Sequence, residues 1–212
     1  MTSRSSVLAE VAGRVPRPDR PVLVAVDGVD GAGKTWFGDE LAAACASWPG
    51  PVVRASVDGF HHPASHRHGL GRTGETFWSR SFDYAAFLSQ LVLPWRAGPG
   101  SVYRSAVHDV ESDRSLDLPP SVVPERGLLI VDGIFLQRDE LRDFWDLAVF
   151  LDVPFEVSVA RMAVRDGSEA DPAHPSQARY VEGQRIYLDT CDPRGRADVV
   201  VDNSDLAWPS IG

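Results

Sequence analysis

The stretch Val22-Leu23-Val24-Ala25-Val26-Asp27-Gly28-Val29-Asp30-Gly31-Ala32-Gly33-Lys34-Thr35 decides the architecture. Val22 to Val26 is a short apolar run, mostly β-branched, and reads as a buried strand. After Thr35, Phe37, Leu41, Ala44, Cys45 and Trp48 recur at helical spacing, so the pattern changes from strand to helix. Between them lies G-x-x-x-x-G-K-[ST], from Gly28 to Thr35, in the strand–loop–helix setting that the motif requires. Its glycines let backbone N–H groups turn inward around a phosphate, and the helix amino end adds partial positive charge. Lys34 can reach the β- and γ-phosphates, and the Thr35 hydroxyl can ligate Mg²⁺. Gly28, Asp30, Gly31, Ala32, Gly33, Lys34 and Thr35 are therefore expected to bind ATP.

Outward from this loop, apolar strands alternate with helical patterns. Strands are expected at Pro51–Val57, Gly127–Val131, Leu147–Leu151 and Ala197–Val201. Helices are expected at Tyr84–Trp95, from Phe155, and at Gln177–Leu188. Continuous apolar strands indicate a sheet covered on both faces, and the alternation implies parallel order with right-handed crossovers. The expected fold is a three-layer α/β P-loop NTPase domain with a mostly parallel sheet and a small lid. Residues 1–20 form a helix and a proline-punctuated connector, and residues 21–212 form the kinase domain, with the lid near 161–180. The segment Phe60 to Arg80 has little apolar periodicity and is too long for a plain connection, so it is expected to be functional or mobile.

Strand ends in such a sheet face the ligand. Leu128-Leu129-Ile130-Val131-Asp132 ends in a carboxylate expected to hold Mg²⁺ directly or through water. Asp58 closes the strand after the P-loop helix. It stands where a base would accept an alcohol proton during phosphoryl transfer. Arg161 and Arg165 lie four apart on one helical face before an irregular stretch, as arginines of a closing lid would. Arg179 and Gln184 are weaker candidates.

Gly28 to Thr35, Val57-Asp58-Gly59-Phe60-His61, Ser81-Phe82-Asp83 and Val131-Asp132-Gly133-Ile134 together resemble the uridine kinase and phosphoribulokinase group of P-loop kinases. The resemblance runs from about Val22 to Asn203. It implies that Asp58 is the catalytic base and lies near the metal, that Asp83 binds ribose hydroxyls, and that Tyr103 and His108 contact a pyrimidine. It also implies that Arg161 and Arg165 contact ATP phosphates. Asp132 stands where uridine kinases usually carry Glu, which shortens the reach to the metal. The expected activity is ATP-dependent phosphorylation of a nucleoside 5′-hydroxyl, uridine or cytidine first. A kinase of another small alcohol, such as pantothenate, a sugar phosphate or nicotinamide riboside, is the alternative within the class. An ATP-binding regulatory switch is the alternative outside it, although no N-K-x-D guanine-reading motif is present.

The net charge of −9 argues against a nucleic-acid polymer as partner, since a phosphate backbone needs a basic stripe. Cys45 and Cys191 are far apart and outside any CxxC pattern, which disfavours a disulfide framework and a zinc site. His61-His62-x3-His66-x-His68 invites a zinc reading, but no cysteine or acidic ligand is nearby and a substrate loop explains the polar residues. No signal peptide or membrane-length apolar run is evident, so a cytoplasmic protein acting on a small molecule is expected. The oligomeric state is open.

Overall fold

In the computed structural model, which describes residues 3–212, the P-loop strand becomes the centre of the domain. β1 (Pro21–Gly28) is buried along its whole length. It pairs in parallel with β7 (Gly127–Gly133) on one side and β8 (Leu147–Asp152) on the other. β2 (Val52–Ser56) adds parallel to β7, and β9 (Val199–Asp202) adds parallel to β8. A final short strand, β10 (Ser210–Ile211), pairs antiparallel to β9 and gives the order β10-β9-β8-β1-β7-β2. The parallel sheet follows from apolar strands that cannot be left facing water on either side. β10 is too short to carry a periodic signal.

The period-2 alternation of side chains divides the core in two. Val22, Val24, Val26, Leu128, Ile130 and Val149 point to the face covered by α1 (Arg4–Arg14) and α2 (Lys34–Ala44). Leu23, Ala25, Leu129 and Val131 point to the opposite face. That face is covered by α4 (Gly74–Arg80) and by a long segment that starts as α5 (Tyr84–Phe87). This segment passes through a π-helical turn (Leu88–Val92) into α6 (Leu93–Ala97). α8 (Ala178–Cys191) completes the layer, and α9 (Pro193–Arg196) follows it. α7 (Phe155–Asp166) lies between β8 and the irregular stretch before α8, and ends on Gly167 in the left-handed region. Among the described residues no helix is long and apolar enough to cross a membrane.

One local expectation is corrected and one segment gains definition. The helix after the P-loop ends at Ala44, although its apolar stripe runs on to Trp48. Trp48 still packs on the core, beneath the Arg17 guanidinium at 4.7 Å, from a turn rather than from the helix. Phe60 to Arg80, too long for a plain connection, is partly helical. It contains α3 (Ala64–His68) and α4, each too short to show a helical period. Thr73 and Thr76 form a reciprocal capping box that starts α4, and Phe77 buries against Phe135 and Tyr180. α4 sits directly on α8 because Gly74 faces Gly183. A Cβ on Gly183 would lie 2.7 Å from the Gly74 carbonyl oxygen and 2.7 Å from Phe77.

Two small ribbons complete the chain between α6 and β7. β3 (Val102–Tyr103) pairs with β6 (Ser121–Val122), and β4 (His108–Asp109) pairs with β5 (Arg114–Ser115).

Candidate active site

The phosphate end is built mostly from backbone. Gly31 and Gly33 have φ of 77° and 90°, left-handed values that favour glycine. A Cβ on Gly31 would come within 2.2 Å of the Ser158 carbonyl oxygen, so α7 presses directly on the loop. The loop is tied down from several elements. Asn203 at the end of β9 donates its amide to Ala32 O at 2.7 Å, and the Asp30 N–H donates to Gln184 Oε1 at 2.6 Å. Lys34 Nζ donates to Val29 O at 2.8 Å, bent back over the loop it belongs to.

Beneath the loop, Asp27 is fully buried. It accepts from the Gly28 N–H at 2.7 Å and from the Tyr187 hydroxyl of α8. Tyr187 in turn accepts from the Gln137 N–H at 3.0 Å. Desolvation pushes the Asp27 carboxyl up to about 6, against the hydrogen bonds from Tyr187 and Gly28 and the charge of Lys34.

Thr35 and Asp132, two of the residues expected near a metal, lie side by side. The Thr35 hydroxyl donates to Asp132 Oδ2 at 2.9 Å, which joins the start of α2 to the end of β7. Arg54 of β2 donates to Asp132 Oδ1 at 2.7 Å and to Ile130 O at 2.9 Å. This brace on a buried carboxylate was not foreseen, because Arg54 reads in sequence as a polar interruption of a strand. A hydroxyl beside a carboxylate at a phosphate-binding loop fits a hard, oxygen-seeking cation that keeps several waters. Among the described residues there is no cluster of three or more His, Cys, Asp or Glu side chains able to hold a metal by themselves. The histidines of residues 61–68 form none, and His62 stacks on His66 with ring centres 3.9 Å apart.

Two cavities meet at this loop. The first, about 370 Å³, is lined by the P-loop, Trp36, Asp132, Arg161 and Leu206. The second, about 300 Å³, is lined by His61, Arg67, Phe77, Phe82, Arg179 and Tyr180 among others. Asp30, Asp58, Ile134, Met162 and Arg165 line both. The Asp58 side chain is 66% exposed, open to whatever occupies the junction. His61 Nδ1–H donates to Asp58 O at 2.9 Å, and its ring lies 4.3 Å from that of Phe82. Burial lowers the His61 pKa, with the nearby Asp58 opposing. Desolvation raises the Asp30 carboxyl, Lys34 opposes this, and the like charge of Asp58 adds to it.

The remaining sequence candidates fall unevenly around this junction. Arg165 lines both cavities and pairs with Asp166 through Nε at 2.6 Å. Arg161 borders the first cavity, but its guanidinium donates to the carbonyls of Asn203 at 2.9 Å and Ser204 at 2.8 Å. It thus also clamps the end of β9 against the loop. Asp83 caps α5 by accepting from the Ala86 N–H, and its carboxylate is 3.9 Å from His62 Nδ1.

Tyr103 and His108 line neither cavity. The Tyr103 ring is buried edge-on to Trp95 at 5.5 Å, and the buried His108 donates from Nε2 to Asp113 at 3.2 Å. The walls that sequence reasoning missed are Arg67, Phe77 and Tyr180. Nothing in a linear reading joins α3, α4 and α8.

Several known proteins resemble the chain in sequence or in fold. The chain is 25% identical over 210 residues to a uridine kinase of Brevibacillus brevis, covering 91% of this chain and 92% of the relative. A possible uridine kinase from Bacillus stearothermophilus superposes with a TM-score of 0.72 at 22% identity, over 93% of this chain and 96% of that one. The chain is uridine kinase-like in sequence and fold. A D-glycerate 3-kinase from Cryptococcus neoformans superposes on the chain with a TM-score of 0.56 at 12% identity, over 98% and 99% of the two chains. No protein-family model matches the chain.

Proposed function

We propose that the protein transfers the γ-phosphoryl group of Mg-ATP to a hydroxyl of a small molecule. The observation that carries this reading is the junction itself: one exposed carboxylate, Asp58, lines both the phosphate cavity and a second cavity of small-molecule size. A switch that only hydrolyses ATP has no use for the second cavity.

Thr35 and Asp132 would hold the magnesium ion, whose chemistry is to neutralise charge on the β- and γ-phosphates. The acceptor oxygen forms the new bond to the γ-phosphorus while the bond to the β-phosphate oxygen breaks. ADP leaves, and the hydroxyl proton passes to Asp58. Lys34 and Arg165 offer cations to the transferring group, and α7 against Gly31 keeps the loop closed around it.

A nucleoside is the acceptor favoured by the names of the relatives, with the 5′-hydroxyl of uridine or cytidine as the first trial. A different small alcohol is the second reading. It is favoured by the burial of Tyr103 and the pairing of His108 with Asp113, which keep that pair out of the second cavity.

The test is steady-state ATP consumption with a panel of nucleosides and other small alcohols, for the wild type and Asp58→Asn. The variant is expected to lose 10²- to 10⁴-fold in kcat, the usual contribution of a positioned base, while its ATP affinity stays within about threefold. Acceptor-dependent turnover that persists in Asp58→Asn would sink the assignment of the base. ATP hydrolysis indifferent to every acceptor would favour the switch.

A further inference from the structure

The part of the second cavity not shared with the phosphate site carries two arginines and one carboxylate, Asp166, which is paired with Arg165. Arg67 and Arg179 both line it, beside Phe77, Ser81 and Tyr180. Arg67 is held by donation from Nε to His62 O at 2.8 Å and lies 3.5 Å from Asp113. Asp113 is already engaged by the Ala64 N–H at 2.8 Å and by His108.

Arg179 is less well matched. Among the described residues it has no carboxylate within ion-pair distance, and its buried Nε has no hydrogen-bond partner. Its Nη1 meets only an imidazole, His68 Nε2, at 3.2 Å. Arg72 donates to that same nitrogen at 3.4 Å. His68 must therefore be neutral, with its proton on Nδ1. Burial and the charges of Arg72, Arg179 and Arg67 all lower its pKa, which keeps it so.

Arg179 and Arg72 thus share one neutral histidine, with Arg67 close by and paired to Asp113. Like charges brought together and partly desolvated are unfavourable unless an anion joins them. The arrangement is also rigid. Arg179 lies 5.4 Å from the centre of the Phe77 ring and 5.6 Å from that of Tyr180, and Phe77 is fixed by the glycine contact between α4 and α8. Asp58 lines the same cavity. A molecule held there can present a hydroxyl to Asp58 and meet the arginines with another group.

We infer that the acceptor is a compact alcohol bearing a carboxylate or phosphate group, held at that group by Arg179 and Arg67 while its hydroxyl lies at Asp58. This rests on the phosphoryl-transfer reading above and narrows it. An uncharged nucleoside leaves the Arg179 cluster unmatched.

The experiment uses the full chain saturated with Mg²⁺ and a non-hydrolysable ATP analogue, so that added anions cannot compete for the P-loop. Matched pairs, ribose 5-phosphate against ribose and glycerate against glycerol, are titrated by calorimetry, with uridine alongside. At least one charged member is expected to bind tenfold or more tightly than its uncharged partner. Arg179→Gln should weaken that binding at least tenfold, and Arg179→Lys should recover part of it. ATP-analogue affinity and the melting temperature report whether each variant is folded.

Equal binding of the paired compounds, no binding of any charged compound, or uridine binding that ignores Arg179→Gln would each overturn the inference. Turnover separates it from the reading beneath it. Phosphorylation of uridine but of no charged alcohol overturns the anion site and leaves the kinase standing. A charged alcohol that binds through Arg179 but is never phosphorylated upholds the anion site and counts against phosphoryl transfer.

Discussion

At one end of the joined cavity the ligand surface is mainly backbone; at the other it is mainly side chain. The phosphate end takes its shape from seven consecutive residues, Gly28 to Lys34, whose conformation is pinned by Ser158, Asn203 and Gln184. The acceptor end takes its shape from Arg67 of α3, Phe77 of α4 and Arg179 of α8, and His68 and Arg179 are 111 residues apart. A phosphate is the same in every ATP, so amides and one lysine at fixed spacing recognise it. Acceptors differ, and the surface that reads them is assembled from short helices that can vary while the sheet stays the same.

Three substitutions put that contrast under strain. The largest effect is expected from Gly31→Ala. The residue has left-handed φ, and its new Cβ would meet backbone, the Ser158 carbonyl, rather than a side chain able to swing away. Calorimetry with the ATP analogue should find no measurable binding, whereas the circular dichroism spectrum of the fold should persist. Retained affinity within tenfold would mean that the loop is softer than the contact with α7 implies.

Next is the floor of the phosphate end. Asp27 has an ordinary carboxyl value of 3.8 and is raised to about 6 in the folded protein. Between those values the folded state binds more protons than the unfolded state, so this group makes stability fall as pH rises from about 4 to about 6. The difference amounts to roughly 3 kcal/mol at about 1.4 kcal/mol per unit. Asp27→Asn lacks the titration, so it should gain on the wild type by about that amount over this pH range. Urea unfolding of both proteins at pH 4 and pH 7 measures the gap, and a gap that does not change with pH would refute the assignment.

The smallest effect is expected at the acceptor end. Gly183→Ala places a methyl group against Gly74 O and Phe77, and overpacking of this kind costs about 1–3 kcal/mol. It should lower the melting temperature and raise the acceptor KM severalfold while the ATP KM stays within twofold. Equal changes in both KM values would show that the two ends are not independent.

The same division explains what could be read in advance. The strand–loop–helix around Gly28 to Thr35 was legible because motif and periodicity are both local. Asp132 was legible because the end of a parallel strand must emerge at one edge of the sheet, and Asp58 because it lies in the 3₁₀ turn just past the end of β2 at that same edge. Arg54 was not, since its partner Asp132 is 78 residues away and becomes a neighbour only when β2 pairs with β7. Tyr103 and His108, expected to face a base, turned inward because two-residue strands have no face that spacing can assign.

By itself the sequence determined the parallel sheet, the phosphate loop and the carboxylates at the strand ends. Each of these depends on residues within a few positions of one another or on the direction of a strand. Only the tertiary structure decided that Arg67, Arg179 and His68 share a site with Asp58. Short helices hold their places through contacts such as Gly74 against Gly183, and whether two distant residues come into contact is a property of packing that spacing along the chain does not contain.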